Sequence, residues 1–203
     1  RAVSMKDKRN PVVVGITGAS GAVLAAETIE LLLANDVPVI ATASPAGRMV
    51  WRQEMAESFG AVLERWTGLG DFTFHAIGDL TAPIASGTYP VTGMAIVPCS
   101  MGTAAAVAQG LSDNLLRRAA DVALKERRPL VLVPRETPLS VIHLENLAKL
   151  ARAGAAVIPP MPAFYLDQKS TRDVVEYIAH RVLLALGIVD ELPERMRYTP
   201  PEE

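Results

Sequence analysis

Two short loops rich in glycine and hydroxyl residues have the composition of anion-binding turns. One spans residues 15–21 with the pattern Gly-x-x-Gly-x-x-Gly, and the other spans residues 99–103. Glycine lets backbone N–H groups approach a ligand closely, and a helix that begins after such a loop directs its positive end at an anion. A plain tight turn at the first loop, and simple helix capping by Ser100 and Thr103 at the second, are the alternatives that composition leaves open.

The first loop favours a mononucleotide over a dinucleotide. In dinucleotide sites, an Asp or Glu follows the second strand and binds the ribose. Here the corresponding residues 41–44 read Ala-Thr-Ala-Ser, without an acid. Two such loops at neighbouring strand ends would together hold one phosphate and the sugar chain attached to it.

Basic side chains form a third candidate for anion binding. Arg118 and Lys125 are seven residues apart in a predicted helix, so two turns bring them back to nearly the same face. Arg135 and Glu136 directly follow an apolar strand, which places them at the carboxyl edge of a sheet. For the helix, a solvated run of charges is the ordinary alternative.

The composition excludes several classes of protein. The chain has 203 residues and a net charge of −2, which argues against nucleic-acid binding and against adhesion to a membrane surface. No apolar run is long enough to span a bilayer. The single Cys99 rules out an intrachain disulfide, so we expect a cytoplasmic protein. The three histidines are scattered and suggest no metal site.

Apolar strands alternate with helical segments along the chain and position these loops. We predict strands at residues 11–17, 37–43, 94–98, 129–134 and 155–159, and helices at residues 22–34, 45–57, 104–109, 114–127, 139–153 and 170–186. Residues 58–92 lack periodicity and are predicted to form loops and short elements. Asp113 is the predicted cap of its helix, and Thr137 and Pro138 open the next.

This alternation predicts an α/β fold with a three-layer, doubly wound parallel sheet, Rossmann- or flavodoxin-like, in a single domain. We expect residues 1–10 to be a non-native remnant with a flexible N-terminus, residues 11–189 to form the α/β domain, and residues 190–203 to form a polar tail. In such folds ligands bind at the carboxyl ends of the strands.

Several separated segments closely resemble the UbiX-type flavin prenyltransferases. They are residues 14–22, 98–103, 118–130, 133–140, 142–146 and 159–165, in family-like order and spacing. The similarity covers residues 12–188. It implies an enzyme that transfers a dimethylallyl group from dimethylallyl monophosphate to N5 and C6 of reduced FMN. The product, prenylated FMN, would serve a UbiD-type decarboxylase, and the family's assembly implies a homododecamer.

The resemblance also implies roles for individual residues. FMN would be bound by Gly18, Ala19, Ser20, Ser44, Ser100, Met101, Gly102, Thr103 and Arg135. The phosphate of the prenyl donor would be bound by Arg118, Lys125, Arg135, Glu136, Tyr165 and Arg181. Ser20 and Glu54 match a proton-handling pair, and Lys125 and Glu136 are the other expected catalytic residues.

A cationic phosphate site would replace the metal that diphosphate-dependent prenyltransferases use. The chain has no Asp-Asp pair, so we expect no metal, and arginine and lysine side chains would neutralise the departing phosphate. The prenyl cation would be shielded by the flavin and by Tyr165. Leu80 and Tyr198 stand where some relatives carry Trp, which changes the aromatic enclosure of the prenyl group.

Two alternatives belong to other functional classes. One is an FMN-dependent decarboxylase of the phosphopantothenoylcysteine type, for which His75 lies near the expected position of the base. The turn at residues 98–101 lacks the Asn of such enzymes. The other is a non-catalytic FMN-binding subunit, which would have no use for a second phosphate site. We expect His143 and Cys99 to be structural.

Overall fold

Six parallel strands form one central sheet in the computed structural model, which describes residues 10–199. The strands are β1 (Val12–Ile16), β2 (Val39–Ala43), β3 (Phe72–Phe74), β4 (Gly93–Cys99), β5 (Leu130–Pro134) and β6 (Ala156–Val157). The helices are α1 (Ala22–Ala34), α2 (Pro45–Glu54), α3 (Phe59–Leu69), α4 (Met101–Ala108), α5 (Leu115–Lys125), α6 (Val141–Arg152) and α7 (Thr171–Ala185). The strand order β3-β2-β1-β4-β5-β6 confirms the predicted doubly wound parallel fold.

Both faces of the sheet are covered by helices, which explains why the strands are apolar throughout. Val12, Val14 and Ile16 of β1 belong to the core that includes residues of α1, α2, α3 and α7. Val13 belongs to the opposite core, which includes residues of α4, α5 and α6. Because alternate side chains point to opposite faces, a strand in the middle layer must be apolar at every position.

The order in which successive strands are added to the sheet reverses at β1. Its neighbours are β2 on one side and β4 on the other, and both pair with it in parallel. A crevice therefore opens beyond the carboxyl ends of β1 and β4, where the connecting segments diverge. The two glycine- and hydroxyl-rich loops follow these two strands, so the fold brings them together.

The prediction for residues 58–92 was wrong in part, because this segment contains α3 and the edge strand β3. Ser58 caps α3 by accepting a hydrogen bond from the Ala61 N–H at 3.2 Å. The helix buries Phe59, Val62 and Trp66 at helical spacing. Two glycines and a threonine within it conceal the periodicity, and tertiary packing of the aromatic side chains outweighs their low helix propensity.

Several predicted helix ends also move. α2 ends at Glu54 because Met55 is extended, and α4 begins at Met101, directly after the cap residue Ser100. Asn114, and not Asp113, caps α5. α6 begins only at Val141, where Ser140 and His143 form a reciprocal capping box, so the structural role expected of His143 is observed.

The ends of the chain bear on two further expectations. Of the predicted remnant and flexible N-terminus at residues 1–10, residues 1–9 lie outside the described residues, so the prediction stays untested. Residues 190–199 fold back along α7, where Arg195 forms an ion pair with Glu176 and Met196 is buried. Between residues 10 and 199, every helix is too short or too polar to cross a bilayer.

Candidate active site at the carboxyl edge of the sheet

The loop after β1 packs tightly against the start of α2. A Cβ atom at Gly18 would lie 2.5 Å from the Cβ of Ala46, and one at Gly47 would lie 2.7 Å from the carbonyl oxygen of Ile16. The Ser44 N–H donates to the same carbonyl at 2.9 Å. Only glycine allows this approach, which brings Ser44 to the side of residues 18–20.

Glu54 occupies the N-terminus of α1. Its carboxylate accepts hydrogen bonds from the N–H groups of Gly21 at 2.9 Å and Ala22 at 2.8 Å. The N–H groups that the sequence suggests for a ligand phosphate therefore bind the protein's own carboxylate. A phosphate at this crevice must lie nearer to α2 and α4, because Glu54 repels it from α1.

Ser20 and Arg135 also act on Glu54. Partial burial raises the pKa of Glu54, but hydrogen bonds from Ser20, Ala22 and Gly21 and the charge of Arg135 outweigh this effect. The pKa of Glu54 therefore lies below the usual carboxyl value. The structure thus brings together the proposed proton-handling pair and one of the proposed phosphate ligands.

The second loop follows β4 and opens α4. Ser100 Oγ accepts a hydrogen bond from the Thr103 N–H at 3.2 Å and donates one to Thr103 Oγ1 at 3.0 Å. The capping role that composition left open is therefore present. A Cβ at Gly102 would meet no atom within 4 Å, so space remains open at the first turn of α4. Cys99 is fully buried, and burial raises the pKa of its thiol to about 12, so it is neutral packing material.

Arg135 and Glu136 border a cavity of about 250 Å³ between the ends of β5 and β6. The opposite wall is the proline-rich segment at residues 159–161. The Arg135 N–H donates to the Cys99 carbonyl at 3.3 Å, which ties this residue to the second loop. Glu136 Oε1 accepts from the Thr137 N–H at 3.1 Å. The cavity is lined by the residues that follow β5 and β6 together with Leu139 and Leu147.

Tyr165 and Arg181 belong to one polar and aromatic cluster, joined by Tyr177. Burial and a hydrogen bond with Tyr165 raise the pKa of Tyr177, and Arg181 opposes this shift. Tyr198 packs edge-on against Tyr165, with ring centroids 6.2 Å apart. Tyr165 is 63% exposed and Phe164 is 89% exposed, so the cluster offers aromatic faces outside the core.

Lys125 lies apart from Arg135 within one chain, and Arg118 is engaged by other residues. Arg118 donates to the Ala85 carbonyl at 2.9 Å and to Asp121 at 2.8 Å. Lys125 ends α5, before β5 begins, and pairs with Glu126. Arg135 follows β5, and a strand of five residues separates the two positions by roughly 16 Å. Lys125 and Arg135 therefore lie toward opposite ends of β5.

Two residues of this region were not predicted from the sequence. Thr17 joins the two loops through its hydroxyl, which accepts from the Ser100 N–H and donates to the Pro98 carbonyl, both at 2.7 Å. Tyr177 is the link between Tyr165 and Arg181. For Thr17, the only sequence signal is that a threonine directly follows a buried strand, and this signal is weak. The position of Tyr177 within a helix gave no signal of its contacts.

The residues at the crevice fit a flavin mononucleotide. Serine and threonine hydroxyls, two helix N-termini and the Arg135 guanidinium suit a phosphate and a chain of hydroxyl groups. The open space at Gly102 leaves room at the start of α4. In residues 10–199, no group of three or more His, Cys, Asp and Glu side chains is arranged to hold a metal ion.

Comparison with known proteins gives consistent results. The flavoprotein family model matches residues 1–183. The flavin prenyltransferase UbiX of Halalkalibacterium halodurans is 45% identical over 184 residues, which cover 88% of this chain and 89% of the relative. A crystal structure of AnUbiX (PadA1) in complex with FMN and dimethylallyl pyrophosphate has a TM-score of 0.86 and 38% identity, covering 96% of this chain and 100% of that one.

A second solved structure is equally similar. The dodecameric FMN-dependent UbiX-like decarboxylase from Escherichia coli O157:H7 has a TM-score of 0.85 and 40% identity, covering 94% of this chain and 100% of that one. Identity at this level over nearly the whole chain identifies the family as well as the fold. The chain therefore belongs to the flavoprotein family and, within it, to the UbiX-type flavin prenyltransferases.

Proposed function

We propose that this enzyme transfers the dimethylallyl group of dimethylallyl monophosphate to N5 and C6 of reduced FMN, without a metal. The observation that carries the proposal is the grouping of Ser20, Glu54 and Arg135 at the β1–β4 crevice. It occurs in a chain 38% identical to a protein solved with FMN and dimethylallyl pyrophosphate.

The two loops and Ser44 hold FMN in this proposal. The residues assigned to it are Gly18, Ala19, Ser20, Ser44, Ser100, Met101, Gly102, Thr103 and Arg135. Bound reduced FMN supplies the nucleophilic ring atoms that accept the prenyl group. The N-termini of α2 and α4 favour the phosphate, while Glu54 keeps it away from α1.

Basic side chains stabilise the phosphate that leaves the prenyl donor. Arg135 and Arg181 offer forked donors, and Tyr165 offers a hydroxyl and an aromatic face. Fixed cations aimed at a developing anion lower the barrier most in a site that excludes water. The exposed aromatic residues around Tyr165 and Tyr198 would shield the allylic cation in place of the absent tryptophans.

Proton transfer falls to Ser20, Glu54 and Glu136. Glu54 is ionised at neutral pH, as an ordinary carboxyl is, and the lowered pKa favours that form further, so the carboxylate can accept a proton passed through the Ser20 hydroxyl. Glu136 borders the cavity beside Arg135, where it would exchange a proton with the departing phosphate.

Arg118 and Lys125 reach a phosphate site only from another copy of the chain. The separation of Lys125 from Arg135 along β5 supports this arrangement, as does the dodecamer of the 40% identical relative. We infer a homododecamer with sites between copies. We also infer that the enzyme works in the cytoplasm and delivers prenylated FMN to a UbiD-type decarboxylase.

Mass spectrometry of the flavin tests the reaction. Anaerobic incubation with reduced FMN and dimethylallyl monophosphate should yield a flavin heavier by one C5H8 unit. The diphosphate donor in a parallel reaction measures donor preference, and oxidised FMN is the control. Recovery of FMN alone would refute the transferase. Loss of CO2 from a phosphopantothenoylcysteine substrate would instead support the decarboxylase alternative.

A further inference from the structure

Thr17 lies between the two loops that the proposed function assigns to FMN. It directly follows β1, and its side chain is 2% exposed. Its hydroxyl accepts a hydrogen bond from the Ser100 N–H and donates one to the Pro98 carbonyl, both at 2.7 Å. One side chain therefore satisfies a donor and an acceptor on the neighbouring strand end.

The Thr17 contacts lie just beyond the last main-chain pairing between β1 and β4. The register between β1 and β4 runs as far as Gly15 opposite Ile96, although β4 continues to Cys99. The register between β4 and β5 also shifts between Ile96 and Cys99. Pro98 has no N–H to offer a neighbouring strand. The end of β4 still pairs with β5 at Cys99, so the Thr17 hydroxyl supplies the contact on the β1 side, where the regular pairing has ended.

The backbone held by Thr17 is the start of α4. Ser100 caps this helix through Thr103, so the position of the Ser100 N–H sets the direction of the first turn. We propose that Thr17 is a positioning residue whose hydroxyl holds the second loop in register with the first, so that the affinity for FMN depends on it. The identity of the ligand rests on the proposed function.

Valine fills the same space as threonine but offers no hydrogen bond. In Thr17→Val, the partly buried N–H of Ser100 and the buried carbonyl of Pro98 lose their partner, so the loop must shift or admit water. FMN can bind only after a shifted loop returns to its original position. The observed affinity therefore falls in proportion to the fraction of molecules that already hold the loop there. Serine keeps the hydroxyl and loses only a methyl group.

Titration with FMN, followed by quenching of flavin fluorescence, tests the proposal. Thr17→Val should raise the Kd for FMN by about tenfold or more, while Thr17→Ser stays within about threefold of the wild type. Thr28→Val is the matched control. Thr28 is 1% exposed, and its hydroxyl donates to the Leu24 carbonyl at 2.7 Å within α1, so this variant loses a buried hydroxyl without touching the loops. Its Kd should not change.

Two results would overturn the proposal: a Thr17→Val Kd within about twofold of the wild type, or equal losses in Thr17→Val and Thr17→Ser. Amide hydrogen exchange of the wild-type protein adds a test that needs no variant. The Ser100 N–H should be protected, and exchange at the rate of an exposed amide would refute the contact. FMN titration requires no prenyl transfer, so a wild type that binds FMN without forming product would refute only the proposed function.

Discussion

The carboxylate of Glu54 organises the chemistry of the crevice. It pairs with the N–H groups of Gly21 and Ala22 and lies within the influence of Ser20 and Arg135. These interactions favour its charged form and fix its orientation at the N-terminus of α1. The same contacts that cap the helix therefore hold an ionised carboxylate in a fixed place beside the proposed flavin site.

Glu54→Gln separates these two roles. The amide oxygen can still accept from the helix N-terminus, but the side chain cannot take up a proton, so prenyl transfer should fall by about 100-fold. FMN binding, measured by fluorescence, should persist. If the variant keeps the wild-type rate in the mass-spectrometric assay, Glu54 does not transfer protons.

The lowered pKa also predicts how stability depends on pH. A carboxyl whose pKa is lower in the folded state stabilises the fold above its unfolded pKa of 4.5, and the effect disappears as the pH falls through the folded pKa. The stability difference between wild type and Glu54→Gln, measured by urea unfolding, should therefore shrink as the pH falls below 4.5. Glu64→Gln, on the exposed face of α3, controls for the lost charge.

The site was only partly predictable from individual residues. The sequence correctly predicts Arg135 at the carboxyl edge of the sheet, because the residue directly follows an apolar strand and this pattern is visible in the sequence. Thr17 and Tyr177 escaped notice because their partners, Ser100 and Tyr165, are distant in the sequence or lie in irregular loops. Such contacts depend on the register of strands and on loop conformation, which composition and spacing do not define.

The approach of the β1–α1 loop to α2 depends on two residues that lack side chains. Gly18 faces Ala46, and Gly47 faces the Ile16 carbonyl, each at a distance that a Cβ could not occupy. The contact sets the position of Ser44 relative to the first loop. It also directs α2 so that its last residue, Glu54, reaches α1.

Gly18→Ala should therefore disturb the site more than the rest of the fold. The added methyl group would lie 2.5 Å from the Cβ of Ala46, so the loop must move away from α2. We expect the Kd for FMN to rise about tenfold and stability to fall by about 1–3 kcal/mol. Gly60→Ala in α3 is the control, since its Cβ would meet nothing within 4 Å, and it should stabilise the helix by up to about 1 kcal/mol. Equal affinities in both variants would contradict this account.

Most helices and strands were predicted, but the three-residue strand β3 and the aromatic helix α3 were not. The prediction for α1 matches its observed bounds, because thirteen residues repeat an apolar pattern between clear end signals. β3 has only three residues and joins the sheet by pairing with β2. α3 is held by a cluster in which Trp66 packs edge-on against Trp51 of α2, at a centroid distance of 5.6 Å. These stabilising contacts are tertiary, so local pattern does not show them.

Several large apolar side chains near the proposed site are exposed in the single chain. Val141 and Ile142 at the start of α6 are each 68% exposed, and Met161 and Phe164 project from the segment beside the cavity. Exposed apolar residues that lie close together indicate a surface that binds a partner or a ligand. Together with the separation of Lys125 from Arg135, this pattern favours active sites that two or more copies complete.

Mixing two inactive variants tests whether the sites are shared between copies. Lys125→Ala and Arg135→Ala should each lose most prenyl transfer when purified alone. If one copy supplies Lys125 and another supplies Arg135, random mixed assemblies contain about a quarter of sites with both residues intact. Activity should then return to about a quarter of the wild-type level after the variants are dissociated and reassembled together.

Size-exclusion chromatography with light scattering must show the same assembly in each sample. A mixture as inactive as its components would place both residues in a single chain's site, or Lys125 outside the site.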